Sequence, residues 1–131
     1  MSKLTLSLAA GLLGLSVAQA DVVVIANLKA AAPTRSEVAD AYLGKTHRLT
    51  ALDQPESAAI RAEFYKKTTG MEFSQVKAIW ARLVFSGRGS PPKELPDAAA
   101  VKKAVATDPT AIGYIDRSAL DGTVKVVLQL D

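Results

Sequence analysis

The stretch from Leu49 to Phe64 places a strand signal directly before a helix signal, and this junction constrains the fold more than any other feature. Apolar residues alternate over Leu49–Leu52, as in a short strand, and residues 53–55 (Asp-Gln-Pro) break that pattern. A helix is then predicted from about Ser57. A tight turn from a strand into a helix leaves the first helical N–H groups without internal partners, and the helix dipole adds positive potential there. The sequence therefore predicts a turn that can hold an oxyanion.

Two side chains near this turn are candidate ligands for the anion. Ser57 offers a hydroxyl at the start of the helix, and Arg61, one turn further on, carries a guanidinium that can reach the same point. Helix capping offers a simpler explanation, because Asp53 or Ser57 can accept the orphan N–H bonds, and an Asp53 cap would occupy the anion's place. Arg61 would then be a solvated surface charge. The residue types leave both interpretations open.

The first 20 residues have the pattern of a secretory signal peptide. Lys3 supplies a positive n-region, Leu4–Val17 is an apolar run rich in leucine and alanine, and residues 18–20 (Ala-Gln-Ala) form a small-x-small cleavage site. The apolar run is shorter than the roughly 20 residues of a membrane-spanning helix. We therefore expect cleavage before Asp21, export to a bacterial periplasm or exterior, and no stable membrane insertion of the mature chain.

The predicted mature chain, residues 21–131, has 111 residues, which suffice for one domain but not for two. The sequence has no cysteine, so an ordinary apolar core rather than disulfides must stabilise it in an oxidising compartment. The 16 basic and 13 acidic residues of the whole chain are dispersed, without the basic clusters of nucleic-acid-binding proteins. Nucleic acid is therefore not an expected partner.

The residue patterns of common enzymes and metal sites are missing. His47 is the single histidine and lies in a predicted loop, so the three or four ligands of a zinc site are not available. The sequence contains no Gly-x-Ser-x-Gly elbow, no Walker sequence and no dinucleotide-binding fingerprint. Ser57 has no evident base partner. We therefore expect no catalytic residue, no metal ligand and no cofactor.

The order of predicted elements is β, α, β, α, α, α, β, β, which favours a mixed α/β sheet with helices packed against it. The β-branched run Asp21–Asn27 is typical of a strand buried on both faces. Thr34 and Glu37 predict a capping box at the first helix. The third helix has the clearest amphipathic pattern, with Ser74 as its expected cap. Its expected core face consists of Val76, Ile79, Trp80, Leu83 and Val84.

Two further segments complete the predicted pattern. After the third helix, Gly87 and Gly89 flank Arg88 in a loop that can present backbone N–H groups as an anion-binding nest. A flexible surface connector is the alternative, since glycine-rich turns are common between elements. Beyond this loop we predict a helix capped by Asp97 and two strands, at residues 111–115 and 124–128.

Four segments occur together in an order that resembles a known family. They are the helix running into Tyr-Leu-Gly-Lys at residues 36–45, the Asp-Gln-Pro-Glu-Ser turn with Arg61 and Phe64, the run Trp80-x-x-Leu-Val-Phe-Ser-Gly-Arg-Gly, and Ala-Ile-Gly-Tyr at residues 111–114. They cover nearly all of the predicted mature chain. In these segments the chain resembles small single-lobe periplasmic proteins known as phosphate ABC transporter substrate-binding proteins, within the phosphate-binding protein superfamily.

This resemblance implies an α/β, single-lobe periplasmic-binding-protein-like (type II) domain over residues 21–131, with a mixed sheet flanked by helices. It implies phosphate or a similar oxyanion as the ligand. It also implies a role as the substrate-binding component of phosphate uptake, with an ABC permease or another periplasmic protein as the partner.

The resemblance also implies where the oxyanion binds. In full-length members, the turn that matches residues 53–61 carries a Ser-Gly-Thr and a basic residue that hold the phosphate. Ser57 matches the serine and Arg61 falls near the basic position, whereas alanines replace the glycine and the threonine. We therefore expect an oxyanion site at Ser57 and Arg61, with Arg88 and Gly87 as further candidates.

Two departures from the family pattern favour an alternative function. The alanines at positions 58 and 59 remove a hydroxyl and the glycine that permits close approach. In addition, 111 residues supply about one of the two lobes that close over the anion in full-length members. The alternative is a non-transport interaction or sensory module with a decayed anion site, whose former cleft face docks another protein or a second copy.

Overall fold

The computed structural model describes residues 21–130, so the predicted signal peptide, residues 1–20, lies outside the described part. Within residues 21–130, no helix has the length and apolar character needed to cross a membrane. The elements are β1 Val22–Ala26, α1 Arg35–Tyr42, β2 Thr50–Asp53, α2 Ala59–Thr69, α3 Phe73–Phe85, β3 Lys93–Glu94, α4 Ala98–Thr107, β4 Ala111–Asp116 and β5 Lys125–Leu130, with a short 3₁₀ turn, Arg117–Ala119, between β4 and β5.

The five strands form one mixed sheet in the order β3-β2-β4-β1-β5. β1 runs antiparallel to both of its neighbours, β4 and β5. β2 runs parallel to β4 on one side and to β3 on the other. The predicted mixed α/β sheet flanked by helices is therefore confirmed, whereas the strand order is set by long-range pairing that local patterns do not encode.

Alternate residues of β1 contribute to two apolar cores, one on each face of the sheet. Val22 and Val24 pack with residues of α1, α2 and α3, and Val23 and Ile25 pack with residues of α4. β1 also has a paired strand along each edge. Because both faces and both edges are covered, the whole strand is buried, as its uninterrupted β-branched run predicts.

The helix starts agree with the predicted caps at α1 and α4 but not at α3. The predicted capping box begins α1 at Thr34, and Asp97 caps α4. The prediction of Ser74 as the cap of α3 is wrong. The N–H of Glu72 donates to Oε1 of Gln75 at 2.9 Å, and this bond starts the helix earlier than the serine signal indicates.

The predicted core face of α3 is confirmed over most of its length and wrong at its end. Val76 and Trp80 are buried, and Ile79 and Leu83 are half-buried. Val84, however, is 50% exposed. Because α3 packs mainly against α2 rather than between two layers, its last turn keeps one apolar side in solvent.

The two-residue strand β3 has no sequence signal that predicts it. Lys93 and Glu94 are both charged and exposed, and they pair in parallel with Leu52 and Asp53 of β2. The pattern of the chain after α3 indicates only a polar loop. The strand forms because the backbone groups at the end of β2 on this side have no other described strand to pair with, and the segment before α4 runs alongside them.

The chain's three tyrosines lie close together in the core on the α1–α3 side of the sheet. Phe64 stacks on Tyr114 with ring centroids 4.0 Å apart, and Tyr42 and Tyr65 pack beside them edge-on. Burial raises the pKa of all three tyrosine hydroxyls well above their usual range, and the nearby carboxylate of Asp53 raises it further.

We expect alkaline pH to destabilise the protein from about pH 10 upward, where tyrosines of the unfolded chain ionise. Because the folded-state pKa values are raised, the folded state keeps protons that the unfolded state loses. Stability is therefore fully present below about pH 10 and falls above it, by about 1.4 kcal/mol per pH unit for each tyrosine. Thermal melts from about pH 9 to about pH 11 measure this slope. Tyr65→Phe should reduce the slope by about a third, and an unchanged slope would contradict this account.

Gly113 of β4 lies where the strand passes closest to α4. A Cβ atom at this position would overlap Cγ1 of Val101 and would lie 3.6 Å from Cγ2 of Val105. Both valines are fully buried and face the sheet. The missing side chain therefore sets the distance between α4 and the sheet.

We expect Gly113→Ala to lower the free energy of unfolding by about 1–3 kcal/mol, because the added methyl group pushes α4 away from the sheet. Gly122→Ala is the matched control, since a Cβ atom there meets nothing within 4 Å. It should change stability by less than about 1 kcal/mol. Urea unfolding compares the two variants, and equal losses would contradict the close-packing explanation.

Candidate functional site

Asp53, the last residue of β2, is buried, with 1% of its surface exposed. Its Oδ2 accepts a hydrogen bond from the Tyr65 hydroxyl at 2.5 Å. Its Oδ1 accepts a hydrogen bond from the Tyr114 hydroxyl. The same oxygen accepts a second bond from the N–H of Gln54, at 2.9 Å. The carboxylate thus joins β2 to α2 and β4. The prediction that Asp53 caps α2 is wrong, because these donors already take its oxygens.

Gln54 fixes the turn that follows β2. It is buried, and its Nε2 donates to the carbonyl of Tyr114 at 2.8 Å. The backbone of this residue is also engaged, since its N–H bonds Asp53 and its carbonyl accepts from Arg61 at 2.9 Å. The turn is therefore anchored on the sheet and on α2 at once, which makes it a rigid platform for nearby side chains.

Arg61, in the first turn of α2, is held from several sides. Its Nη1 donates to Gln54 and to Oε2 of Glu94 at 2.8 Å, and its Nε lies 3.6 Å from Oδ1 of Asp53. The guanidinium carbon lies 4.5 Å from the ring centre of Phe73, a cation–π contact. Burial by itself lowers the pKa of Arg61, but the bond to Glu94 and the charge of Asp53 raise it overall. Its side chain is only 13% exposed, so it is not a solvated surface charge.

The start of α2 has no side-chain cap. Ala58 occupies the cap position without a side-chain hydrogen bond, and Ser57 lies just before it as an exposed residue. The alternative prediction that Ser57 caps the helix is therefore wrong. Ser57 and Arg61 are four positions apart at this helix end, and among the described residues no side chain at the cap position accepts from the first N–H groups of α2. The N–H of Arg61 itself donates to the carbonyl of Ala58 at 3.0 Å.

Gly87 and Arg88 lie just after the C-terminal end of α3. Gly87 has a φ of +73°, and the N–H of Arg88 returns to the carbonyl of Leu83 at 2.8 Å, so the pair terminates the helix. Arg88 is exposed and lines a small cavity with Ile79, Arg82, Leu83 and Ser86. That cavity shares no lining residue with the cleft at Arg61. The structure therefore places Arg61 and Arg88 in separate clefts.

A cleft of about 420 Å³ opens beside Arg61, and we call it the Arg61 cleft. Its polar end contains Asp53, Arg61 and Glu94. The remaining walls are mainly apolar and come from α3 and from the prolines before β3. A cavity of this size, with apolar walls and a few converging polar groups, is typical of small-molecule sites. The lining residues beyond the polar end are Tyr65, Phe73, Val76, Lys77, Trp80, Ala81, Val84, Phe85, Pro91 and Pro92.

Three polar residues that line this cleft are not predicted as site residues from the sequence. Tyr65 carries a usable signal, since it lies four residues after Arg61 and therefore on the same helix face. Asp53 carries only the signal of a cap. Glu94 carries none, because it meets Arg61 through a strand that the sequence does not predict.

The described residues contain no group of three acidic, histidine or cysteine side chains that could hold a metal ion. His47, the single histidine, is exposed in the loop before β2, as predicted.

No protein-family model matches this chain, and no curated protein matches it. Solved structures with the same fold include an ABC-type phosphate transport receptor from Vibrio cholerae, with a TM-score of 0.62 and 14% identity. They also include a putative phosphate ABC transporter substrate-binding protein with bound phosphate from Clostridium perfringens, with a TM-score of 0.63 and 16% identity.

These matches cover 82% of this chain but only 45% and 44% of the two solved chains, so the chain spans less than half of their length. At this identity the likeness concerns the fold. The mixed sheet with its four helices therefore has the fold of one periplasmic-binding-protein-like domain.

Proposed function

We propose that this chain is an exported domain that binds a small oxyanion, phosphate first, at the start of α2. The observation that carries the proposal is the uncapped first turn of α2, with Ser57 before it and Arg61 within it. The fold supports it, since one solved structure named above is described as a phosphate transport receptor and the other as a putative phosphate ABC transporter substrate-binding protein with bound phosphate. Those neighbours are binding proteins, which also supports a binding role rather than an enzymatic one.

The chemistry of this turn suits an oxyanion. The first N–H groups of a helix point at an incoming acceptor, and the helix dipole favours negative charge there. Ser57 adds a hydroxyl donor. Arg61 adds a guanidinium whose Nη1 is already bound to the Glu94 carboxylate, an oxygen ligand of the same kind. A bound anion accepts from Arg61 together with Glu94, or it displaces Glu94 from Arg61. The displacement costs little free energy because the Glu94 side chain is 53% exposed.

The remaining predicted site residues have a less direct role in the proposal. Arg88 lies beyond α3, so we propose that its charge contributes only to the long-range attraction of an anion. Gly87 donates its N–H to the carbonyl of Val84 at 3.0 Å, and we propose that it shapes the end of α3 that carries Arg88. The proposed partner is an ABC permease or another periplasmic protein, and the proposed location is the periplasm, reached through the predicted signal at residues 1–20.

We expect residues 21–131 to give saturable heat on titration with phosphate at low ionic strength, with sulfate as the comparison anion. The double variant Ser57→Ala/Arg61→Gln should bind phosphate at least about tenfold more weakly, because two anion donors are removed. Ser74→Ala/Arg82→Gln makes the same changes on α3 and should leave the affinity unchanged. Unchanged phosphate affinity in the Ser57/Arg61 variant, with its melting curve intact, would contradict the site.

A second candidate function rests on the exposed apolar end of α3. Phe85 is 94% exposed beside Val84, which is 50% exposed. Large apolar side chains that cluster on a surface favour contact with another protein chain. The same fold would then serve as an interaction module, with a second copy or another periplasmic protein covering this end of α3.

We expect light scattering after size exclusion to detect a dimer of the mature chain if a second copy covers Phe85. Phe85→Ser should then shift the population to monomer, because the anchor of the interface is removed. Leu28→Ser is the matched control, since Leu28 is 56% exposed on another part of the chain. A strictly monomeric wild type would contradict self-association. The same shift to monomer in both variants would show that the dimer depends on surface hydrophobicity in general and not on Phe85.

A further inference from the structure

The Arg61 cleft is larger and more apolar than a bare oxyanion requires. An inorganic phosphate is polar on every side and gains nothing from walls of Val76, Trp80 and Pro92. At about 420 Å³, the cleft falls in the range of sites that enclose small organic molecules. Its shape therefore constrains the body of the ligand, whereas Arg61 constrains only the head group.

We propose that the Arg61 cleft binds an organic carboxylate, with the carboxylate at Arg61 and an aliphatic or aromatic body along α3. The inference rests on the proposed function only in placing an anion at Arg61. It adds the class of ligand: an amphipathic monoanion whose apolar part fills the space between α3 and the prolines before β3.

The protein's own Glu94 shows which head group Arg61 accepts. Its carboxylate bonds Nη1 of Arg61 at 2.8 Å, at the polar end of the cleft. Glu94 lies on a two-residue strand at the edge of the sheet, and its side chain is 53% exposed. A ligand carboxylate can therefore replace Glu94 at Nη1 of Arg61 at little cost. In the absence of a ligand, the Glu94 carboxylate occupies this position.

The exchangeable bond of Arg61, rather than the net charge at this end, favours a carboxylate. The Asp53 carboxylate is buried and already accepts from two tyrosine hydroxyls and a backbone N–H, so it has no free side for a cation. The Nε of Arg61 is buried 3.6 Å from Oδ1 of Asp53, so a ligand carboxylate would reach the guanidinium by replacing Glu94 at Nη1. Lys77, on the rim, pairs with Glu56 at 3.1 Å and lies 5.8 Å from the Phe73 ring.

The apolar walls are built before any ligand arrives. Trp80 is fixed by its Nε1, which donates to the carbonyl of Tyr42 at 2.8 Å. Phe73 is held against the Arg61 guanidinium, and the two prolines before β3 have fixed backbone angles. A preformed site loses little conformational entropy on binding, which improves affinity for a given contact area.

The test uses the fluorescence of Trp80, the single tryptophan of the chain, as a readout of cleft occupancy. Residues 21–131 are titrated with 4-phenylbutyrate, with 4-phenylbutylamine as the opposite-charge probe and acetate as the head group alone. We expect a saturable change with 4-phenylbutyrate and none with the other two at equal concentration. An equal response to the amine, or no tighter binding of 4-phenylbutyrate than of acetate, would overturn the proposal.

Two variants separate the head group from the body of the ligand. Glu94→Gln removes the competing carboxylate and should tighten 4-phenylbutyrate binding by up to about fivefold, the value of an exposed ion pair. Asp21→Asn is its matched control, because Asp21 pairs with Arg117 outside the cleft and is similarly exposed, and it should leave the affinity unchanged. Ala81→Phe fills the apolar part of the cleft from an exposed position. It should weaken the binding of 4-phenylbutyrate and leave the binding of phosphate unchanged. Unchanged or weaker binding in Glu94→Gln would overturn the exchange with Arg61.

The outcomes also separate this proposal from the proposed function. Phosphate binding without 4-phenylbutyrate binding would overturn the organic ligand and leave the oxyanion function standing. Binding of 4-phenylbutyrate that responds to Glu94→Gln, with no phosphate heat and no competition by phosphate, would support the cleft site and overturn phosphate as the ligand. Absence of binding by either probe would overturn both.

Discussion

The buried carboxylate of Asp53 is the interaction on which the rest of the structure depends. Tyr65 of α2 and Tyr114 of β4 both donate to it, although 61 residues separate Asp53 from Tyr114. A buried carboxylate is costly unless donors satisfy it, and each lost donor leaves a desolvated oxygen. The network therefore specifies one arrangement of β2, β4 and α2, because any other leaves the charge unsatisfied.

The same network positions the polar end of the Arg61 cleft. Arg61 donates to the carbonyl of Gln54, and the Gln54 side chain donates to the carbonyl of Tyr114 in β4. The position of the guanidinium is therefore fixed by residues of the core. Phe73 of α3 covers its flat face. A cation held by buried partners changes position little when a ligand arrives, which is the condition for preorganised recognition. Among the described partners of the guanidinium, Glu94 is the exposed one, with 53% of its side chain accessible.

Apolar walls lie beside the charged groups of the Arg61 cleft. The chain covers 45% and 44% of the two solved structures of the same fold. A site on one domain leaves part of a bound anion in contact with water, where charge interactions are weak. An apolar wall beside Arg61 supplies contact energy that does not depend on enclosing the charge. Val84 and Phe85, at the exposed end of α3, also line the Arg61 cleft, so the two proposed binding surfaces would share one face.

The sequence by itself determined the local elements and the class of fold. β1, the capping box at Thr34, the Asp97 cap and the buried Trp80 all follow from signals within a few residues, because capping and apolar periodicity are local interactions. The mixed α/β arrangement follows from the order of those elements. The junction after β2 was also predictable as a turn into a helix.

Only the tertiary structure decided what that junction does. Asp53 has the local pattern of a cap, but it became a buried acceptor because Tyr65 and Tyr114 reach it from other elements. Arg61 meets Glu94 33 residues away, through an edge strand whose pairing depends on the open side of β2. Such contacts depend on strand order and layer packing, and residue spacing along the chain carries no record of either.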